Sequence, residues 1–157
     1  MKIKEIMIPN VVAINQEISI KELVKVFIQY KFDMLPVVNK ENLLVGKISL
    51  DEIVSIFFPR YYDIVKDYTY IEDFGLLEKI FVAQSSLLNE DKLLLACDVM
   101  NPKVIAIEEG SSVLQAVSLM QSYGVSRLPV ISNQNKLIGI ISHIDIILTL
   151  LKKSFCH

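Results

Sequence analysis

The stretch RLPVISNQNKLIGIISHID, at residues 127–145, determines how the rest of this 157-residue chain is interpreted. Two apolar runs, Arg127–Ile131 and Leu137–Ser142, flank a polar turn, which predicts two strands joined by a hairpin. The segment after them predicts a helix that begins near His143. A second stretch, MLPVVNKENLLVGKISLDE at residues 34–52, carries Leu-Pro-Val, Gly and Ser at the same spacing. The chain therefore contains an internal repeat with an offset of 93 residues.

This repeat extends without a gap over residues 4–56, which align with residues 97–149. Pro and Gly residues keep their register over that length, and most other pairs exchange one aliphatic side chain for another. Chance rarely preserves such a pattern. We therefore assign residues 1–58 to the first repeat, 95–157 to the second, and 59–94 to a connecting segment.

Both repeats predict the same elements in the same order, β-α-β-β-α. A short apolar strand, at 11–14 or 104–107, precedes a helix that opens with a capping box in each repeat (Ser19 and Glu22; Ser112 and Gln115). A unit of about 55 residues buries too little surface to be stable alone. We therefore expect the two repeats to pack sheet against sheet about a pseudo-twofold axis. They would share one core and form two equivalent clefts.

Composition excludes several classes of protein. The 16 basic and 18 acidic residues give a net charge of −2, which removes the electrostatic attraction to nucleic acid backbones. A hydrophobic content of 52% excludes intrinsic disorder. Cys97 and Cys156 lack the spacing of a zinc site or a disulfide framework, so we expect reduced thiols in a cytoplasmic protein. The apolar stretch 137–151 is shorter than the ~20 residues of a membrane span.

The joint pattern of the two repeats resembles a tandem pair of cystathionine β-synthase (CBS) domains, also called a Bateman module. The motifs that carry this resemblance are Met-x-Pro, Leu-Pro-Val, and Gly followed by Ser-x-x-Asp, and the second repeat contains all of them. The first repeat is more divergent. The resemblance implies an α/β (α+β) fold and a regulatory, ligand-binding function with neither a catalytic nor a metal site.

The resemblance also implies a ligand, because members of this family commonly bind AMP, ADP, ATP or S-adenosylmethionine between the repeats. In this chain Asp145 would accept hydrogen bonds from the ribose, and Ser142 would lie near the phosphate at a helix start. Apolar residues would flank the adenine, and Ser126 and Arg127 would face the phosphate. The implied ligand-binding residues are Val104, Ile105, Val125, Ser126, Arg127, Ser142 and Asp145.

The first repeat departs from the pattern at the corresponding positions. Glu52 replaces the ribose-binding aspartate, while Asp33 and Met34 stand where the second repeat has Ser and Arg. An acid near a phosphate repels it, and methionine supplies no charge. We therefore expect at most one good nucleotide cleft, governed by Asp145. The other cleft would be empty or take a different ligand, and its residues are Val12, Asp33, Met34, Ser49 and Glu52.

Structural interpretations of these residues stay open at this point. Ser142 with Asp145, like Ser49 with Glu52, is also typical of a capped helix start that needs no ligand. Arg127 could pair with a surface acid. The alternative function is a ligand-free dimeric interaction scaffold. No residue set predicts catalysis.

The connecting segment is rich in aromatic residues, among them Tyr61, Tyr62, Tyr68 and Tyr70. Its apolar residues recur at helical spacing, which predicts one or two amphipathic helices. These aromatics would either extend the core or form a surface for a dimer partner or an effector protein. We expect a homodimer that buries the apolar residues of the closing helices, including Ile144, Ile147 and Leu148.

Overall fold

The computed structural model describes residues 1–57 and 94–155. The first repeat opens with a short 3-10 turn at Ile3–Glu5, and its other elements are β1 (Ile8–Pro9), β2 (Ile14–Asn15), α1 (Ile20–Tyr30), β3 (Met34–Val38), β4 (Leu44–Ser49) and α2 (Leu50–Phe57). The second repeat contains α3 (Ala96–Val99), β5 (Ile107–Glu108), α4 (Val113–Tyr123), β6 (Arg127–Ile131), β7 (Leu137–Ser142) and α5 (His143–Phe155). The predictions for the aromatic connecting segment lie outside the described residues.

The predicted β-α-β-β-α order is confirmed in both repeats. The hairpins β3–β4 and β6–β7 are antiparallel and have the predicted bounds. The strand before the first long helix of each repeat is shorter than predicted. β2 and β5 are only two residues long, and they pair in parallel with β3 and β6. The apolar residues before them make no ladder, because several of them face the space between the repeats instead.

The predicted capping box is complete on α4, where Ser112 N–H also donates to Gln115 Oε1 at 2.8 Å, whereas on α1 only the Ser19 half of the box forms. The backbone N–H of Glu22 donates to Ser19 Oγ at 3.3 Å, and that of Gln115 donates to Ser112 Oγ at 3.2 Å. These bonds satisfy backbone donors that the first helical turn leaves free. Both helices end in a left-handed residue, and the second repeat places Gly124 there with φ of 63°. This conformation carries no steric cost for glycine.

The two repeats exchange their leading segments. β1 of the first repeat pairs with β7 of the second, so the second sheet has the order β1-β7-β6-β5. The corresponding segment of the second repeat forms an antiparallel bridge from Asn101 to Lys47 on β4. Ile3 is fully buried in the core of the second repeat, and Ala96 is fully buried in that of the first. Each core is therefore completed by the other repeat.

This exchange explains the methionine of Met-x-Pro and the glycine of the repeat. A Cβ atom on Gly139 would lie 2.7 Å from Met7 Sδ, and one on Gly46 would lie 2.9 Å from Met100 Sδ. The methionine of one repeat thus covers the glycine of the other. A side chain at either glycine would displace the leading segment.

The expectation of a single shared core was wrong in its detail. Each repeat has its own buried cluster, and a smaller third cluster, containing Val38, Leu44 and Leu137, joins them. At this junction Leu44 N–H donates to Asn135 O at 3.2 Å, and Leu137 N–H donates to Asn42 O at 3.1 Å. The two bonds are equivalent under the 93-residue offset, as the pseudo-twofold arrangement requires. None of the helices within residues 1–57 and 94–155 combines the length and apolarity needed to cross a bilayer.

Candidate functional site

Two clefts lie between the repeats, and we call them cleft A and cleft B. Cleft A has a volume of about 530 Å³ and is lined by Asp33, Met34, Lys47, Ser49, Leu50, Asp51, Lys103, Val104, Ile105, Gly124, Val125, Ser126, Arg127 and Pro129. Cleft B has a volume of about 310 Å³ and is lined by Ile8, Asn10, Val11, Val12, Phe32, Met34, Leu35, Pro36, Arg127, Ile140, Ser142, Ile144 and Asp145. Ligand sites in proteins commonly span about 300–1,000 Å³.

The 93-residue offset converts most of one lining into the other, so the clefts are related by the pseudo-twofold axis. Each cleft combines two parts from different repeats. One repeat contributes the residues before its short parallel strand (β2 or β5) and the turn after its first long helix (α1 or α4). The other contributes the junction between its last strand and its closing helix, which starts at Ser49 in cleft A and Ser142 in cleft B.

The structure divides the predicted principal site between these clefts. Val104, Ile105, Val125 and Ser126 line cleft A, whereas Ser142 and Asp145 line cleft B. The prediction placed all of them in one cleft, whereas the structure places them in two, and their contact with a ligand stays a prediction. It took the residues of one cleft from one repeat, but the exchanged packing joins each strand–helix junction to the strands of the other repeat. Arg127 lines both clefts.

The predicted second site is divided in the same way. Val12 lies in cleft B, whereas Asp33 and Ser49 lie in cleft A and Met34 lines both. Glu52 lines neither cleft. Its Oε2 accepts hydrogen bonds from the backbone N–H of Ser49, at 2.6 Å, and from the hydroxyl of Ser49. This side chain caps helix α2, as the structural interpretation of Ser49 with Glu52 stated.

Asp145 also takes part in a cap. Its Oδ2 accepts from Ser142 N–H at 2.9 Å and from the Ser142 hydroxyl, and its own N–H donates to Ser142 Oγ at 3.1 Å. The capping interpretation of this pair is confirmed. Unlike Glu52, however, half-buried Asp145 also lines a cleft. The cap holds the carboxylate through Oδ2, and within the described part of the chain no donor bonds to Oδ1.

Arg127 lies between the two clefts. Its Nη1 donates to Asp33 Oδ1 at 2.7 Å, which joins the second repeat to the first and confirms the interpretation that this arginine pairs with an acid. The Asp33 side chain is 70% exposed, so solvent screens the pair and its contribution to stability is small. The pair instead controls where the guanidinium lies.

The two clefts differ in charge and polarity. The charged residues of cleft A are Lys47, Lys103, Arg127, Asp33 and Asp51. Cleft B has only Arg127 and Asp145, and aliphatic and aromatic side chains form most of its wall. Neither lysine was predicted from the sequence, because nothing in the repeat pattern marks their positions. Phe32 and Val11 were not predicted either, although the 93-residue offset relates them to Val125 and Val104.

Within residues 1–57 and 94–155, no three His, Cys, Asp or Glu side chains are grouped closely enough to hold a metal ion. Cys97 is an exposed free thiol.

Comparison with known proteins gives two matches to a family model described as the CBS domain, at residues 3–58 and 96–152. An uncharacterized protein of Methanocaldococcus jannaschii is 30% identical over 154 residues, which cover 94% of this chain and 89% of that protein. The inosine-5′-monophosphate dehydrogenase of the same organism is 27% identical over 146 residues. That match covers 93% of this chain but only 23% of the dehydrogenase.

Solved structures show the same fold. CBSX2, a CBS-pair protein from Arabidopsis thaliana, was solved in complex with AMP and superposes with a TM-score of 0.70 at 21% identity, covering 98% of both chains. The CBS domain pair of protein MJ0100 was solved with 5′-methylthioadenosine and S-adenosyl-L-methionine. It superposes with a TM-score of 0.63 at 21% identity, also covering 98% of both chains.

Proposed function

Because the chain belongs to the CBS domain family as a tandem pair, we propose that it is a non-catalytic regulatory module that binds an adenosine-containing ligand between its repeats. The observation that carries the proposal is the half-buried carboxylate of Asp145, which its cap holds at the wall of an apolar cleft. The AMP and S-adenosylmethionine complexes of structurally similar CBS pairs support this class of ligand.

Cleft B suits the nucleoside part of such a ligand. Asp145 Oδ1 would accept a hydrogen bond from a ribose hydroxyl, and charged acceptors form the stronger hydrogen bonds. The side chains of Val12, Phe32 and Met34 offer apolar contact to the adenine ring. Arg127, at the border with cleft A, would face a phosphate if the ligand carries one. AMP, ADP and ATP carry the ribose, the adenine and a phosphate. S-adenosylmethionine carries the ribose and the adenine but no phosphate.

Regulation would follow from the position of the clefts. Each is built from both repeats, so a ligand contacts two bodies that are held together by exchanged leading segments and by the Arg127–Asp33 ion pair. A ligand that binds one relative position of the repeats better than another shifts the population toward it. An unidentified effector protein would detect that shift.

The proposal includes a homodimer. Helix α5 exposes several large apolar side chains, namely Ile144, Ile147, Leu148, Leu150, Leu151 and Phe155. Extended apolar surface of this kind marks interaction sites in soluble proteins. A second copy of the module would remove it from water.

Thermal melting with adenosine, AMP, ATP, 5′-methylthioadenosine and S-adenosylmethionine tests the function. A ligand at about 100 times its Kd stabilises the native state by about 2.7 kcal/mol, so the melting temperature should rise. Asp145→Ala should abolish the rise. Glu52→Ala is the matched control, since it removes the equivalent helix cap at a residue that lines neither cleft. If no compound raises the melting temperature of the wild type, the ligand-free scaffold is the better explanation.

A further inference from the structure

We propose that Met7 and Met100 are a pair of modification sites, at which oxidation of the thioether to a sulfoxide loosens the exchange of leading segments between the repeats. The proposal rests on three observations. Each sulfur is in close contact with a glycine of the other repeat, each methionine is partly exposed to solvent, and the two hold equivalent positions on the leading segments. It does not depend on ligand binding in either cleft.

The contact between each sulfur and its glycine leaves no room for a further atom. A Cβ on Gly139 would lie 2.7 Å from Met7 Sδ, and one on Gly46 would lie 2.9 Å from Met100 Sδ. Met7 also packs against the core cluster of the second repeat, and Met100 packs against that of the first. The side of each sulfur that faces the other repeat is therefore both close-packed and apolar.

The two methionines help to attach the leading segments. Met7 N–H donates to Ile3 O at 2.9 Å, and Met100 N–H donates to Ala96 O at 2.9 Å. Ile3 and Ala96 are themselves fully buried in the core of the other repeat. Each leading segment is thus held by a buried side chain and by a methionine four residues later, before its backbone pairs with a strand of that repeat.

Access and structural consequence coincide at these two positions. Met7 and Met100 are half-buried, so a small oxidant reaches them from solvent. Met120 is only 5% exposed in the core of the second repeat. Met1 is 38% exposed, and Met34 lines the two open clefts, so water can solvate a sulfoxide at either residue. Among the five methionines of the chain, Met7 and Met100 are therefore the pair whose oxidation changes the packing of the repeats.

The oxidant class is a peroxide. A lone pair of the thioether sulfur attacks one peroxide oxygen, the O–O bond breaks and an S–O bond forms. The sulfur loses two electrons, and the other oxygen leaves as water after it takes up the proton of the transferred oxygen. The product is polar, which disfavours contact with an apolar cluster and disrupts packing that depends on methionine. The leading segment should therefore separate from the other repeat at this point, and methionine sulfoxide reductases would reverse the change.

Thermal unfolding after treatment with hydrogen peroxide, without ligand, tests the proposal. The protein carries Cys97→Ser and Cys156→Ser, so that thiol oxidation does not contribute. Peptide mass spectrometry measures the oxygen gained at each methionine. Oxidation of Met7 and Met100 should lower the melting temperature by at least about 4 °C.

Matched variants assign the effect to these two residues. Met7→Leu with Met100→Leu nearly conserves the side-chain volume and removes both thioethers, so peroxide should not change the melting temperature of this variant. The control is Met1→Leu with Met34→Leu, which removes the same number of thioethers and should respond to peroxide like the protein with all five methionines.

Three results would overturn the proposal. The first is oxidation of Met7 and Met100 no faster than that of buried Met120, and the second is complete oxidation of both without a change in melting temperature. The third is an undiminished response in the Met7→Leu, Met100→Leu variant. If that variant does not fold, methionine sulfoxide reductase is added to the oxidised protein. Restored masses at both residues should then restore the melting temperature, and failure to do so would equally overturn the proposal.

Discussion

Arg127 and Asp33 form an ion pair across the two repeats, with 2.7 Å between Nη1 and Oδ1, at the border of both clefts. The offset of 93 residues relates Arg127 to Met34, which lines both clefts as well. The pseudo-twofold axis therefore relates a charged side chain to an uncharged one, although both line both clefts. The two repeats thus differ in charge at this position.

Arg127→Met should leave the protein folded and cost less than about 1 kcal/mol, because exposed ion pairs are screened by solvent. Urea unfolding measures the difference, and Asp33→Asn should give a similar loss. In a double-mutant cycle the second substitution should add almost nothing to the first. Strictly additive losses would contradict a direct interaction between the two side chains.

Gly46→Ala should destabilise the protein by about 1–3 kcal/mol, as overpacking of a close contact does. The added Cβ would lie 2.9 Å from the backbone oxygen of Asn101, which is fixed by pairing with Lys47. Chemical denaturation is the measurement. Gly110→Ala is the control, since no atom lies within 4 Å of a Cβ there, and this variant should be at least as stable as the wild type. An unchanged Gly46→Ala variant would show that the leading segment is not held at this distance.

Ile3→Ala should cost about 2–5 kcal/mol, although Ile3 lies near the start of the chain, where substitutions are often tolerated. The reason is its full burial in the core of the second repeat. Thermal or urea unfolding gives the value. Ile8→Ala, at a residue that is 50% exposed, should have a much smaller effect. Equal effects of the two substitutions would argue against the exchange of leading segments.

Leu148→Glu with Leu151→Glu should convert the proposed homodimer into a monomer. Both side chains are exposed on α5, so the folded monomer tolerates the charges while an apolar interface does not. Light scattering after size-exclusion chromatography measures the mass, and circular dichroism confirms that the fold is retained. The control is Leu114→Glu on α4, also exposed, which should remain dimeric. A monomeric mass for the wild-type protein would contradict the proposed homodimer.

Much of the local structure could be predicted from the sequence. The bounds of the β3–β4 and β6–β7 hairpins follow from apolar runs around polar turns, and the capped helices follow from Ser19 and Ser112. These features depend on residues that are close along the chain, three apart in the helix caps and at most 15 apart in the hairpins. The short β2 and β5 could not be predicted, because how far such a strand extends depends on its partner strand.

The candidate site could be predicted only as a set of residues. Most of the residues that the resemblance to CBS domains implied do line a cleft. The repeat and that resemblance were sufficient to identify them. Their division into clefts was not predictable, and neither was the contribution of Lys47 and Lys103. Nothing local marks a lysine on a strand as part of a cleft.

The amino-acid sequence by itself determined the repeat, its elements and the family to which the chain belongs. The tertiary structure decided which parts share a cleft. Leading segments pair across the repeats, so Asp145 faces Val12 and Phe32 of the first repeat and not Val104 of its own. The physical reason is that helix caps and hairpins are satisfied by nearby residues. A cleft, in contrast, forms from contacts between segments about 93 residues apart, whose pairing only the folded chain establishes.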